Sequence, residues 1–176
     1  LVSLPKGTEG LSTQVIVVDN GSADESVAMV RKEFPEVELI SVMMNLGFTR
    51  GNNRGLQIAR GRYVCLLNND TQSCANAFAP AIEWLDENPD VGIAGLKLLN
   101  QDGSRQLSCR RFPSFQQAIF NRYSLLTKLF PENPYSKNYL MSDVDDTVRD
   151  VDWVSGACLI VRREVIQVEF TFIPPF

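Results

Sequence analysis

A chain of 176 residues with 44% hydrophobic content can build one sizeable core and is expected to form a single domain. Its net charge of -4 and its scattered basic residues, apart from the pair Arg110 and Arg111, leave no electrostatic footprint for a nucleic-acid backbone. The absence of histidine excludes Ser-His-Asp and Cys-His nucleophile activation, histidine-ligated zinc and imidazole acid–base catalysis, so any metal must be held mainly by oxygen, as magnesium and manganese are.

From the N-terminus, residues 15–18 form an unbroken β-branched run ending in Asp19-Asn20-Gly21-Ser22. Continuous rather than alternating hydrophobicity predicts a parallel strand covered on both faces. A helix follows, capped by Ser22 or Asp24, with Val27, Met29, Val30 and Phe34 on its apolar side and Pro35 as its stop. Residues 38–42 read as a second strand, 45–48 as a loop, and 49–59 as a helix closed by Gly61. The third strand, 63–67, runs directly into Asn68, Asn69 and Asp70. Residues 76–88 are helical before Pro89, 91–98 form a fourth strand leading to a turn at Asp102-Gly103, 114–129 form a helix, and 153–161 are the last clear strand. Strands alternating with helices through short loops predict an α/β fold with a largely parallel sheet and helices on both faces. In such sheets ligands sit beyond the carboxyl ends of the strands.

Asp19 and Asp70 both stand where a strand ends, so one crevice could hold both. Each has an ordinary explanation, Asp19 as a helix cap or turn former and Asn68-Asn69-Asp70 as an Asn-rich turn. The functional explanation is a carboxylate with amides for a base or ribose at Asp19, and acceptors for a ribose hydroxyl and a divalent cation at 68–70. Magnesium and manganese are commonly bound through one or two carboxylates, with phosphate and water completing the shell. No G-x-x-x-x-G-K-[ST] is present and Gly47 to Gly55 does not match G-x-G-x-x-G after a strand, so the phosphate grip is neither a P-loop nor a dinucleotide fingerprint. Cys65, Cys74, Cys109 and Cys158 form no C-x-x-C pair; Cys65 and Cys158 lie in apolar runs and are expected as small buried hydrophobes in a reducing compartment. No run approaches the roughly 18 apolar residues of a membrane span and no signal peptide is legible, so a cytoplasmic chain is expected, with a place at the inner face of the membrane left open.

Taken in order, "VIVVDNGSADES" (15–26), "NLGFTRGNNRGLQIARGRYVCLLNNDT" (45–71), "GIAGLKLLNQDGSRQLSCRRFPS" (92–114) and "VDWVSGACLIVRREV" (151–165) resemble the family 2 glycosyltransferases, most of all the bacterial rhamnosyltransferase-type branch. The resemblance covers residues 11–165, nearly the whole chain. It implies a GT-A nucleotide-diphospho-sugar transferase fold and inverting, Mg2+- or Mn2+-assisted transfer of a sugar from a dTDP- or UDP-linked donor to a glycan or lipid-linked acceptor in polysaccharide biosynthesis. It implies that Asp19, with Asn20 and Gly21 beside it, meets the nucleobase and ribose, and that Asn45, Gly47 and Asn53 form a second nucleotide-side segment. Asn68, Asn69 and Asp70 occupy the D-x-D position, with Asp70 as the metal-binding acid. Asn68 stands where a first Asp is more usual, which keeps an acceptor, removes a charge and implies weaker, donor-dependent metal binding. Trp153, Ser155, Gly156 and Ala157 match the segment lining the sugar and acceptor side; core packing is the ordinary explanation for Trp153. Arg110 and Arg111 either attract an anionic donor or lipid diphosphate or form a solvated basic pair.

The pattern departs at both ends. Family members begin with a strand and a helix before the "VVDNGS" strand, whereas residues 1–10 match only the end of that helix. The acidic E-D pair that supplies the family's general base has no match in "IQVEFTFIPPF", so the catalytic residue stays unassigned. The expectation is one GT-A-like domain over 1–176 lacking the usual first strand and the base-bearing segment. Residues 168–172 alternate like a half-buried strand and are expected to fill the place of the absent one. Two functional classes stay open: an active transferase, completed by a partner or a homodimer, and a catalytically silent nucleotide-sugar-binding module. The apolar residues of 115–130 suit core packing and peripheral membrane contact equally.

Overall fold

The computed structural model describes residues 1–112, 141 and 147–169. In chain order its elements are α1 (Leu4–Gly7), β1 (Ile16–Asn20), α2 (Ser26–Glu33), β2 (Glu38–Val42), α3 (Phe48–Ile58), β3 (Tyr63–Leu67), α4 (Ala79–Glu87), β4 (Ile93–Gly95), β5 (Leu98–Leu99), β6 (Arg105–Gln106), β7 (Cys109–Arg110), β8 (Trp153–Val154), β9 (Cys158–Arg162) and α5 (Arg163–Glu169). The chain divides into two compact units, Leu1–Ala94 with Ile160–Phe176, and Gly95–Leu159. The helix expected over 114–129 lies outside the described residues.

In the first unit the β-branched run makes β1, which pairs in parallel with β2, Ile16 opposite Glu38 and Asn20 opposite Val42. The crossover between them is α2, whose N-cap is Glu25 rather than Ser22 or Asp24 and carries no side-chain cap bond; Asp24, one residue earlier, only accepts the Ser26 N–H with its Oδ1 at 3.0 Å. Helix α3 lies on β1 by way of glycine: a Cβ at Gly55 would stand 3.3 Å from Val18 Cγ2. Among the described residues β1 pairs with β2 alone, and its Ile16, Val17 and Val18 are half-buried. The other sheet of this unit has the order β3, β9, β4. The Arg162 N–H donates to the Gly92 carbonyl and the Leu96 N–H to the Cys158 carbonyl, so numbering runs in opposite senses and β9 is antiparallel to β4.

The core of this unit gathers Leu85 and Ile160, both almost wholly inaccessible, with Val30, Ala59, Phe78 and Val161. Arg162 ties the end of α4 to the sheet. Its Nε donates to the Val91 carbonyl (2.7 Å), Nη1 to Tyr63 Oη (2.9 Å), and Nη2 to the carbonyls of Asn88 (3.0 Å) and Leu85. The Leu85 and Asn88 carbonyls also accept the N–H groups of Asn88 (3.2 Å) and Val91 (3.1 Å), so Arg162 is their second donor, and a cation at this helix C-terminus complements the helix dipole.

In the second unit β5 and β6 form an antiparallel hairpin around the expected Asp102-Gly103 turn. Gly103 takes φ +80°, and Asp102 Oδ1 accepts the Ser104 N–H at 2.9 Å. Strands β7 and β8 are antiparallel, with Arg110 opposite Trp153.

Four expectations are corrected. The strand foreseen over 91–98 is two, β4 and β5, and that over 153–161 is also two, β8 and β9. The second break falls just after the Ser155 N–H bonds the Ser108 carbonyl (2.7 Å), which continues the β7–β8 register, where Ser155 Oγ accepts the Ala157 N–H (3.2 Å), a local bond that competes with a ladder. Val168 and Glu169 do not form a strand but end α5, whose first turn carries Glu164, an acid that favours a helix start; 170–172 lie outside the described residues. Cys158 is buried as expected, but Cys65 is exposed, at the middle of β3 between neighbours that are all half-buried.

Candidate functional site

At the carboxyl end of β1, Asp19 is buried and is fixed from two sides. Its Oδ1 accepts the Ser22 N–H (3.3 Å) and its Oδ2 accepts the hydroxyl of Ser41 (3.2 Å), its register partner on β2. The hydrogen bonding of Ser22 holds the carboxyl below the usual carboxylate range; burial acts against this, and Ser41 and the Gly21 N–H act with it. Asp19 is therefore an ionised acceptor with lone pairs to spare, in a fixed place.

Asn20 organises the loop opposite. Its Nδ2 donates to Asn45 Oδ1 (3.0 Å) and to the Gly47 carbonyl (3.2 Å), while its Oδ1 accepts the Leu46 N–H (2.8 Å). Asn45 Oδ1 also accepts the Gly47 N–H at 2.8 Å. Both donors of Asn20 are thus spent on the loop, whereas the Asn45 amide nitrogen donates to no acceptor among the described residues. Gly21 is required twice over: it adopts φ +82°, and a Cβ there would lie 2.7 Å from the Met44 carbonyl carbon. Gly47, at φ +80°, caps α3 without a side chain. Asn53 lies on α3, half-buried.

Asp70 comes from the end of β3 and takes no part in this network. The Asn68 carbonyl accepts the Thr71 N–H (3.3 Å) and hydroxyl (2.7 Å), closing a turn that leaves Asn69 and Asp70 exposed. Among the described residues no group of three or more Cys, Asp or Glu side chains could hold a metal. The Asp70 carboxylate, exposed and in no hydrogen bond among the described residues, fits a hard cation that takes one protein ligand and completes its shell with phosphate and water.

In the second unit Trp153 is 46% exposed and is not a core residue. The Arg110 guanidinium lies 5.5 Å from its ring centroid, a cation–π pair set by the cross-strand register. Asp152 Oδ2 accepts the Phe112 N–H at 2.9 Å. Ser155, Gly156 and Ala157 form the turn between β8 and β9.

The structure therefore gathers Asp19, Asn20, Gly21, Asn45 and Gly47, and places Asp70 on another strand end and Trp153 and Gly156 in the second unit. Sequence reasoning missed Ser41 and Ser22 as partners of Asp19 and Arg110 as the partner of Trp153. The strand register that pairs Asp19 with Ser41 is what could have found the first, and it is not written in either strand alone.

The model of the glycosyl transferase family 2 matches residues 6–167. An N-acetylglucosaminyl-diphospho-decaprenol L-rhamnosyltransferase from two strains of Mycobacterium tuberculosis is 28% identical over 174 residues, which is 93% of this chain and 56% of that protein. The succinoglycan biosynthesis protein ExoO of Rhizobium meliloti is 31% identical over 121 residues, 68% of this chain and 33% of that protein. The chain thus spans about half the length, or less, of these curated relatives. Among the described residues no helix is long and apolar enough to cross a membrane.

Proposed function

The chain belongs to glycosyl transferase family 2, with the GT-A fold of nucleotide-sugar transferases, and on that premise we propose that it serves the inverting transfer of a sugar from a nucleoside-diphosphate donor to a glycan or lipid-linked acceptor. The observation that carries the reading is the buried, ionised Asp19 beside the bonded cluster of Asn20, Asn45 and Gly47 at the carboxyl end of a strand. On this reading Asp19 receives the nucleobase and ribose, Asn20 and Gly21 shape the floor, and the open amide of Asn45, with Gly47 and Asn53, borders the nucleotide. Asn68 and Asn69 face the ribose, and Trp153 and Gly156 serve the sugar side.

Asp70 would hold Mg2+ or Mn2+, which when bound offsets the charge of the departing diphosphate. The acceptor oxygen bonds to the anomeric carbon as the bond from that carbon to the diphosphate oxygen breaks, and one displacement inverts the centre. The acceptor proton passes to a base that none of these residues supplies. The name of the rhamnosyltransferase relative makes an L-rhamnosyl donor and an N-acetylglucosaminyl-diphospho-decaprenol acceptor the first substrates to try.

Calorimetry of UDP and dTDP with manganese, with EDTA, and with the Asp70→Ala variant tests the proposal. Metal-dependent binding that falls about tenfold or more in Asp70→Ala is expected, since that removes the sole protein ligand proposed for the ion. No binding under any condition overturns it. Binding without transfer to any lipid-linked acceptor selects the silent donor-binding module instead.

A further inference from the structure

The stretch between β2 and α3 has an unusual surface. Met43 is 101% exposed, Met44 67% and Phe48 59%, so three large apolar side chains stand in water within six residues. Apolar residues exposed singly are ordinary; a concentration of them on one loop marks an interaction surface.

Charge points the same way. From 41 to 69 the sequence holds Arg50, Arg54, Arg60 and Arg62 and no Asp or Glu. Arg60 pairs with Glu38 and Arg62 with Asp86, so their charges are answered. Arg50 and Arg54, one helical turn apart on α3, are exposed and meet no carboxylate among the described residues. Arg50 also sits near the start of a helix whose first turn has no acid, where the helix dipole disfavours a cation. Its placement costs stability unless an anion lies close by.

We propose that the loop 43–48 with Arg50 and Arg54 docks on an anionic lipid surface. Met43, Met44 and Phe48 enter the headgroup boundary while the two arginines meet lipid phosphates, the division of labour of an interfacial segment. The loop is already held in shape by the bonds of Asn20 to Asn45, Leu46 and Gly47, so docking requires little ordering. The inference does not depend on donor binding.

The test is co-sedimentation of the chain, without nucleotide, with phosphatidylcholine vesicles lacking or containing about one-third phosphatidylglycerol. Binding to the anionic vesicles and not the neutral ones is expected, with release by high salt. Arg50→Gln and Arg54→Gln should each weaken partition about fivefold, and Met43→Ser with Met44→Ser about tenfold. All four side chains are exposed, so unchanged far-ultraviolet dichroism is expected in every variant.

Absence of binding to anionic vesicles, or binding undiminished in folded variants, overturns the proposal. So does a dimer that the methionine variant dissolves without any vesicle binding, which assigns the loop to a second copy. Arginine variants that weaken dTDP binding and leave vesicle partition unchanged also overturn it, assigning the arginines to the nucleotide.

Discussion

Arg162→Met removes the guanidinium that joins α4 to the sheet while keeping a side chain of similar reach. Four acceptors lose a donor: the carbonyls of Leu85 and Asn88, which each keep one backbone N–H, the carbonyl of Val91 and the hydroxyl of Tyr63. A hydrogen bond to a charged group contributes roughly 1.5–3 kcal/mol, and orphaning a buried acceptor costs roughly 1–3 kcal/mol. The four do not add, because they share one side chain and the site is half-buried and open to some water. The loss at the helix C-terminus and the two strongest bonds together give about 3 kcal/mol. With a urea m-value of roughly 2 kcal/mol/M, the denaturation midpoint should fall by about 1.5 M. Arg162→Lys keeps the charge but only one compact donor group, and should recover less than half of the loss. A fall below about 0.5 kcal/mol in the Met variant, or a Lys variant equal to the parent, would refute the reasoning: the first would mean that water replaces the bonds, the second that charge alone matters.

Other positions give equally specific expectations. Gly21→Ala forces a Cβ to 2.7 Å from the Met44 backbone at φ +82°, and should cost about 3 kcal/mol in urea denaturation; Gly103→Ala, at φ +80° with open space around it, should cost only about 1 kcal/mol. Tyr63→Phe removes a hydroxyl that donates to Asp86 (2.6 Å) and accepts from Arg162, and should cost about 1–2 kcal/mol by the same measurement. Asp19 has its carboxyl pKa lowered on folding, so its contribution is fully present above the unfolded value of about 3.9 and is lost as pH falls through the lower folded value. Asp19→Asn should therefore flatten the acid limb of the stability curve and leave its neutral limb unchanged in slope; an acid limb identical to that of the parent would show that Asp19 is not held ionised.

The parts of the fold legible in the sequence are those that follow from local pattern. The β-branched run 15–18, the strand 63–67 and the helix before Pro89 all stand where their hydrophobic spacing and breakers put them. The misread parts are decided by partners. Trp153 and Val154 stand apart from the strand 158–162 because they pair with Arg110 and Cys109, a register that Ser155 extends to Ser108, 47 residues away in sequence, and residues 168–169 continue a helix begun at Arg163 rather than obeying a short alternation. The site divides in the same way. Asp19, Gly21 and Asp70 announce themselves by standing at strand ends, whereas Ser41, Arg110 and Arg162 have roles set by register and by what packs across from them.

The bonds that shape the proposed donor cluster are all made among β1, the turn that follows it, β2 and the loop entering α3: Ser22 and Ser41 on Asp19, and Asn20 on Asn45, Leu46 and Gly47. β1 carries apolar residues for two covered faces, yet among the described residues it has one strand neighbour and remains half-buried. The cluster is indifferent to that open side, because none of its bonds crosses it. Asp70 belongs to a different sheet and is fixed by a different turn, that of Asn68 and Thr71. On the proposed function, recognition of the nucleoside and neutralisation of its diphosphate are therefore separable. The metal-independent part of nucleotide binding reports on the β1–β2 cluster, and the metal-dependent part reports on the end of β3.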